Sequence, residues 1–234
     1  MKLAIMQPYF FPYIGYIQLI NAVDKFVVYD DVNFIRGGWI ARNRYIVNGK
    51  ANYFSVPLRS ASPFSKINET SIDREQYERW KGKFFKTLRH NYSRAPYFGD
   101  TMRIIEQACD SGLERIDLLA KLSLRLVCDY LDISTEFVDS STIYENSMLR
   151  GVERVIDICL KENAGTYRNL SGGKKLYSAS QFAEKGILLQ FINTFEVEYK
   201  QFSDGFIPSL SILDVMMFNS KERIREMLKS HDWT

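Results

Sequence analysis

The chain opens with MKLAIMQPYFFPYIGY, residues 1–16, and the fold prediction starts from this stretch. The apolar run of residues 3–6 predicts a buried β-strand. Pro8 and Pro12 can neither continue a strand nor lie inside a helix, so the chain must turn there. The next eight residues, 9–16, carry five aromatic side chains. Open α/β sheets bind ligands after such a strand, so these rings predict a binding site; the alternative is that they fill the core.

Three further strands follow in the first third of the chain. A short helix over residues 13–22 separates the opening strand from the second one. Asn48 and Gly49 form the pair typical of a two-residue hairpin turn between the last two strands. Pro57 and residues 60–63 are expected to close this region. The predicted strands cover residues 25–29, 44–47 and 53–56.

The rest of the chain is helical in the middle and alternates strand and helix towards its end. Asp73 is a candidate N-cap, with Gln76 completing a capping pattern. A terminal helix is predicted over residues 220–230, and the few residues that follow it, including His231, are expected to fray. These predicted elements indicate one α/β sheet with a helical insertion. Its three parts are an α/β part at 1–72, a helical insertion at 73–132 and a C-terminal α/β part at 133–234.

Composition excludes several protein classes. The 234 residues include 31 basic and 28 acidic side chains, a net charge of +3, which is too balanced for a nucleic-acid binder recognised by bulk charge. Hydrophobic residues make up 46%, as in ordinary globular proteins. No signal peptide and no apolar run of about 18 residues is found, so a cytoplasmic protein without a membrane span is expected.

Cysteine and histidine are sparse and widely spaced. Cys109, Cys128 and Cys159 lie in apolar helical contexts, which predicts buried thiols in a reducing compartment. His90 and His231 are the two histidines. They form no cluster with metal-ligand spacing, so no metal site is expected.

Two groups of charged residues follow the early strands. Asp30 and Asp31 end the second strand, where one carboxylate could take a proton from an amine or hold a ribose hydroxyl; a solvated turn is the alternative. Arg42 and Arg44 flank Asn43 and share a strand face, which suits a phosphate, with surface solvation as the alternative. His90 is a candidate base, although a histidine there can simply complement the helix dipole.

Later polar residues are weaker candidates. Asn169, Gly172, Gly173 and Lys174 could form a backbone nest for an anion, without the spacing of a P-loop. Gln201, Ser211 and Asp214 lie beside a buried segment, where they could contact a ligand or cap a helix.

The order strand, Pro-x-x-x-Pro-Tyr-x-Gly-Tyr, helix and strand is similar to the WbqC-like proteins, encoded among bacterial O-antigen and surface-polysaccharide biosynthesis genes. The resemblance extends over nearly the whole chain. Its further landmarks are YDDVNF (29–34), WIARNR (39–44), APYF (95–98), SGGKKLY (171–177) and EYKQFSDGFIPSLSILDVMMF (198–218).

The opening also resembles, more loosely, the phosphate loop of HIGH-type nucleotidyltransferases. Tyr13-Ile14-Gly15-Tyr16 stands where that motif has His-x-Gly-His. This resemblance implies a Rossmann-like sheet. Gly15 would let the backbone approach a ligand, and the helix N-terminus would attract phosphate. Tyrosines cannot act as cations near neutral pH, which argues against adenylyl transfer.

The family resemblance implies a transferase of surface-polysaccharide biosynthesis. We expect it to move an acyl or aminoacyl group onto the amine of a nucleotide-linked amino sugar. No tightly bound cofactor is expected; the donor would be a thioester of coenzyme A or of an acyl carrier protein, and a homodimer is one option for the assembly. In this hypothesis His90, Asp30 or Asp31 takes the amine proton, and backbone amides near Gly15 or Gly172 hold an oxyanion. The residues expected to bind substrate are Gln7, Tyr9, Tyr13, Gly15, Tyr16, Arg42, Asn43, Arg44, Asn169, Gly172, Gly173, Lys174, Gln201, Ser211 and Asp214.

Two other functions remain open from the sequence. An ATP-dependent ligase or nucleotidyltransferase could have kept the fold and changed the motif. A non-catalytic protein that binds a sugar nucleotide could serve the biosynthetic enzymes.

Overall fold

The computed structural model of the protein describes residues 1–59 and 64–234. The predicted closure of the hairpin region by residues 60–63 lies outside the described residues. The strands are β1 (Lys2–Met6), β2 (Lys25–Val28), β3 (Arg42–Val47), β4 (Lys50–Ser55), β5 (Glu136–Val138), β6 (Thr166–Leu170), β7 (Leu188–Thr194) and β8 (His231–Trp233). The helices are α1 (Ile14–Asn21), α2 (Arg74–Tyr92), α3 (Phe98–Cys109), α4 (Ile116–Tyr130), α5 (Gly151–Lys161), α6 (Ala179–Ala183), α7 (Ile212–Phe218) and α8 (Lys221–Met227).

Six strands form the central sheet in the order β5-β2-β1-β6-β7-β8. All neighbours are parallel except β7 and β8. Without the separate β3–β4 hairpin, the order in which the chain supplies these strands is third, second, first, fourth, fifth, sixth. That is the strand order of the Rossmann fold. The predicted Rossmann-like α/β fold is confirmed, and its topological switch point lies between β1 and β6.

Side chains of the opening strand alternate between the two faces of the sheet. Leu3 and Ile5 pack in one core with Val155 of α5 and Phe182 of α6. Ala4 faces a larger core, built with α1 to α4, α7 and α8. Because both faces are covered by helices, β1 is apolar from Leu3 to Met6, as a central parallel strand requires.

The predicted local signals agree with the structure at several elements. Asn48 and Gly49 adopt positive φ values of 51° and 71°, the conformation of the hairpin turn that this pair favours. The Gln76 amide donates to Asp73 Oδ1 at 3.1 Å, so Asp73 caps α2. Among the described residues, no helix is long and apolar enough to cross a membrane.

The C-terminal residues differ from expectation. The prediction that the chain frays around His231 is wrong, because β8 pairs with β7 and closes that edge of the sheet. The ring of Trp233 lies 3.8 Å from the Arg168 guanidinium carbon. The sequence pattern gave no sign of this pairing, since three residues are too few to show strand alternation.

Candidate functional site

The five rings of the turn after β1 do not share one role. Phe10, Phe11 and Tyr16 are completely buried, so for these three the core-filling interpretation holds. Tyr9 and Tyr13 are half-buried and line a cavity. The turn therefore divides into a buried set that anchors it and an outward set that can meet a ligand.

Distant parts of the chain fix the conformation of this turn. Phe11 has a positive φ of 42°, unusual for a bulky residue. Its amide donates to Ser123 Oγ at 3.2 Å. Its carbonyl oxygen accepts from Asn43 Nδ2 at 2.8 Å and from Ser211 Oγ at 2.7 Å. Three segments of the chain thus hold one strained residue, and the neighbouring tyrosines are positioned before any ligand binds.

The cavity lined by Tyr9 and Tyr13 has a volume of about 270 Å³ and lies at the carboxyl edge of the sheet. We call it the aromatic cavity. Flat rings, one guanidinium group and one amide surround it, a combination that suits a sugar or a nucleobase. Its lining residues are Tyr9, Pro12, Tyr13, Trp39, Asn43, Arg44 and Ser209.

Arg44 lines the aromatic cavity, and its guanidinium group binds two backbone carbonyl oxygens there. Its Nη2 donates to the carbonyl oxygens of Pro208, at 3.2 Å, and Ser209, at 3.0 Å. Ser209 has a positive φ of 55°, so the guanidinium group holds a turn that serine rarely adopts. Arg44 Nε is enclosed and has no hydrogen-bond partner among the described residues.

A second cavity, of about 340 Å³, adjoins the first and shares Tyr13 and Ser209 with it. Its lining combines apolar and polar side chains and includes Thr194 at the end of β7. Gln18 and Glu196 are the polar lining residues considered below. We call it the Gln18 cavity.

Gln18 is held rigidly and keeps one polar atom free. Its side chain is buried, and Nε2 donates to the carbonyl oxygens of Met227, at 2.9 Å, and Ser230, at 3.2 Å. Oε1 has no hydrogen-bond partner within the described chain. A buried amide oxygen without a donor is costly, so Oε1 is an unsatisfied acceptor close to this cavity.

Gly15 is the second residue of α1, two residues after Tyr13, which lines both cavities. A Cβ atom there would lie 2.4 Å from Tyr13 Cε2 and 2.8 Å from Thr194 Cγ2. Glycine is therefore required by the packing of the protein's own side chains. This differs from the predicted reason, the approach of a ligand to the backbone.

Tyr13 lines both cavities and stays protonated. Burial, with a smaller contribution from the neighbouring Tyr9, raises the pKa of Tyr13 to about 12. Burial also raises the pKa of Tyr9. At neutral pH these phenols are hydrogen-bond donors and not bases.

Asp30 and Asp31 lie in a buried ionic network away from both cavities. Asp30 Oδ1 accepts from Ser140 Oγ at 2.7 Å, and Lys121 Nζ lies 3.6 Å from its Oδ2. Asp31 Oδ2 pairs with Arg154 Nη2 at 2.6 Å. Burial raises the pKa of Asp30, while Ser140 and Lys121 oppose the shift. The network joins β2 to α4 and α5.

The remaining predicted residues are dispersed. His90 is exposed in the last turn of α2 and lines neither cavity. Asn169 Nδ2 donates to the Tyr167 hydroxyl and its Oδ1 accepts from the Leu170 amide, while Lys174 donates to Asn193. The nest expected from Asn169 to Lys174 lines neither cavity.

Three candidates of the C-terminal motif form an internal network. Asp214 is completely buried and accepts from Tyr92 at 2.7 Å, Tyr199 at 2.7 Å and Gln201 at 2.8 Å. Ser211 caps α7, as the capping alternative expected, and also binds the turn. Through these hydrogen bonds the three residues hold the segments that form the cavity walls.

The turn after β1 also uses its own polar groups. The hydroxyl of Tyr16 donates to the Gln7 carbonyl oxygen at 2.6 Å, and the Tyr16 ring is fully buried. Tyr16, the last residue of the HIGH-like motif, therefore has no free polar group for a phosphate. Arg42 faces a different groove, beside the hairpin.

Sequence reasoning missed Gln18, Trp39, Glu196 and Ser209 as cavity residues. Trp39 stood in a recognised motif and could have been found from its neighbouring arginines. Gln18 looks like any polar residue on a helix, and its burial depends on contacts with α8, about two hundred residues away in the chain.

Two of the comparisons with known proteins found a match. A sequence model of the WbqC-like protein family matches residues 7–226. The uncharacterized protein Rv1507c of Mycobacterium tuberculosis is 31% identical over 225 residues, covering 93% of each chain. No solved structure matches.

Proposed function

We propose that this chain, which belongs to the WbqC-like protein family, is a transferase that moves an acyl or aminoacyl group onto the amine of a nucleotide-linked amino sugar. The observation that carries the proposal is the pair of adjoining cavities at the carboxyl edge of the sheet, with Tyr13 between them. Two cavities that meet at one donor group suit a reaction between two bound molecules.

The aromatic cavity takes the acceptor in this proposal. Trp39 and Tyr9 pack against the flat faces of a sugar or a base, and Asn43 and Arg44 surround its polar edge. The Gln18 cavity, whose lining includes Ile14 and Val197, takes the acyl group.

In this proposal the two bound molecules react where the two cavities meet. The amine nitrogen of the sugar attacks the thioester carbonyl carbon, and a C–N bond forms while the C–S bond breaks. Tyr13, protonated at neutral pH, donates to the developing oxyanion. Glu196, the carboxylate lining the Gln18 cavity, takes the amine proton, which then goes to the leaving thiolate. Glu196 replaces His90, Asp30 and Asp31 in this role because those three line neither cavity.

The first test is binding followed by turnover. The purified chain is screened by thermal shift against UDP- and dTDP-amino sugars, ATP with Mg²⁺, and coenzyme A, since a ligand of the folded state raises the melting temperature. Stabilisation by an amino-sugar nucleotide, and not by ATP, is expected. Stabilisation by ATP with Mg²⁺ alone would contradict the proposal and favour a ligase.

Turnover with the stabilising nucleotide and a thioester donor tests the chemistry. Glu196→Gln and Tyr13→Phe should each lower kcat by roughly 10²-fold or more. Glu198→Gln, two residues from Glu196 and exposed outside both cavities, is the matched control and should leave kcat unchanged. Equal loss in Glu198→Gln would remove the assigned role of Glu196.

One observation favours a non-catalytic alternative. The described lining of the aromatic cavity contains no histidine, cysteine or carboxylate. A protein that only binds and delivers a sugar nucleotide needs none of them. Tight nucleotide-sugar binding without product from any donor would select this function.

A further inference from the structure

A groove of about 560 Å³ beside the hairpin carries positive charge that the proposed reaction does not use. Arg36, Arg42 and Arg59 line it, and its described lining contains no acidic residue. The same three arginines form no ion pair with any described residue. We call it the arginine groove. Unpaired guanidinium groups around one concave surface attract and orient anions.

Arg42 is the best-positioned of the three. Its guanidinium carbon lies 4.9 Å from the ring centre of Tyr53 and 5.4 Å from that of Trp39. These contacts keep the planar group in place at low entropic cost to a later ligand. Arg42 donates no hydrogen bond to a described residue, and its Nε is enclosed without a partner.

Trp39 connects the arginine groove to the aromatic cavity. The same side chain stacks on Arg42 and lines the aromatic cavity. Arg44, two residues from Arg42, uses Nη2 for the backbone of Pro208 and Ser209. The phosphate-binding role expected of Arg42 and Arg44 together therefore falls to Arg42 with the two other arginines of the groove.

We propose that the arginine groove binds the diphosphate of a ligand whose ring occupies the aromatic cavity. A diphosphate presents several negative oxygens along one linear group, which three separated guanidinium groups can share. The identity of the ring rests on the proposed function. The diphosphate site itself rests on the unpaired arginines and stands without it.

Inorganic pyrophosphate is the direct probe of this site. Calorimetric titration of the full chain at constant ionic strength should show saturable binding that sulfate does not reproduce. The Arg36→Gln/Arg59→Gln variant should bind pyrophosphate more weakly by roughly tenfold or more, because charge-assisted hydrogen bonds are lost. Both arginines are exposed, so this variant should fold.

Arg79→Gln is the matched control, since Arg79 is exposed on α2 and pairs with Glu75. It should bind pyrophosphate as the unmodified chain does. No saturable pyrophosphate binding, or equal binding by the Arg36→Gln/Arg59→Gln variant, would overturn the proposal. Arg42→Gln adds a second check, with a circular dichroism spectrum to establish that it is folded.

Two further ligands distinguish between two sources of the diphosphate. They also distinguish failure of this proposal from failure of the proposed function. Tighter binding of a UDP-amino sugar than of geranyl diphosphate identifies a nucleotide, and the reverse identifies a polyprenyl carrier; either supports the groove if the double variant weakens it. Pyrophosphate binding with no binding of nucleotide sugars leaves the groove assigned and defeats the proposed function. Nucleotide-sugar binding that the double variant leaves unchanged defeats the groove alone.

Discussion

At the scale of single residues, Gly15 shows how closely the turn and the sheet approach each other. An alanine Cβ would meet the Tyr13 ring at 2.4 Å and the Thr194 methyl group at 2.8 Å. We expect Gly15→Ala to lower the free energy of unfolding by about 1–3 kcal/mol, the usual effect of overpacking. Because Tyr13 must move, it should also weaken ligand binding.

Gly82→Ala is the matched control for this prediction. Gly82 lies inside α2, and a Cβ there would have no neighbour within 4 Å. Alanine is the better helix former, so the same substitution should raise the free energy of unfolding by about 1 kcal/mol. Urea denaturation of the two variants measures both changes, and an equal effect at the two positions would contradict the packing argument.

Asp214 makes a prediction about pH. Burial raises the pKa of its carboxyl above the ordinary 3.8, although Tyr92, Tyr199 and Gln201 donate to it. Between the unfolded and folded pKa values the folded state binds the extra proton. The stability contributed by Asp214 is therefore fully present below pH 3.8 and is lost as pH rises through the folded pKa.

Asp214→Asn cannot titrate and isolates this contribution. The free energy of unfolding of the unmodified chain, minus that of Asp214→Asn, should decrease as pH rises from about 4 towards neutrality. Guanidinium denaturation of both chains across that range measures the difference. A difference that increases with pH would mean that the three donors, and not burial, determine the pKa of Asp214.

At the scale of elements, the sequence predicts what local chemistry controls. The Asn48-Gly49 turn, the Asp73 cap and the apolar β1 strand follow from neighbouring residues alone. The roles of the five aromatic rings do not, because the conformation of the turn depends on distant residues. Ser123 and Ser211, for example, bind the backbone of Phe11. Arg42 and Arg44 share a strand face as predicted, yet their partners differ because one of them meets a turn about 165 residues further along the chain.

Strand β8 is the element that local patterns missed, and its stability can be tested. The Trp233 ring covers the Arg168 guanidinium group, and Thr234 exchanges two backbone hydrogen bonds with Phe191, at 2.7 and 3.0 Å. Trp233→Ala should lower the free energy of unfolding by about 2 kcal/mol through lost apolar burial and cation–π contact. Amide exchange at Phe191 should accelerate as β8 opens.

The control for Trp233→Ala is a large apolar residue that is already exposed. Ile143 is 64% exposed, so Ile143→Ala should change the free energy of unfolding by less than about 0.5 kcal/mol. Unchanged amide exchange at Phe191 in Trp233→Ala would mean that backbone pairing alone holds β8.

At the scale of the whole molecule, the site depends on contacts between the two ends of the chain. The Phe11 carbonyl oxygen accepts from Asn43 on β3 and from Ser211 before α7, 200 residues away. The hairpin and the C-terminal segment thus meet on one buried atom. Together these contacts hold the turn that presents Tyr9 and Tyr13, so cavity formation and global folding should be coupled.

A double-mutant cycle on these two donors measures that coupling. Asn43→Ala or Ser211→Ala alone leaves the Phe11 oxygen with one donor, whereas the double variant leaves a buried carbonyl unpaired. The double variant should therefore lose about 1–3 kcal/mol more than the sum of the single losses. Asn43→Ala combined with Asp73→Ala, a cap remote from the turn, should be additive within about 0.5 kcal/mol. Additivity in both pairs would mean that the buried rings hold the turn, and that the two hydrogen bonds to the Phe11 oxygen do not determine its conformation.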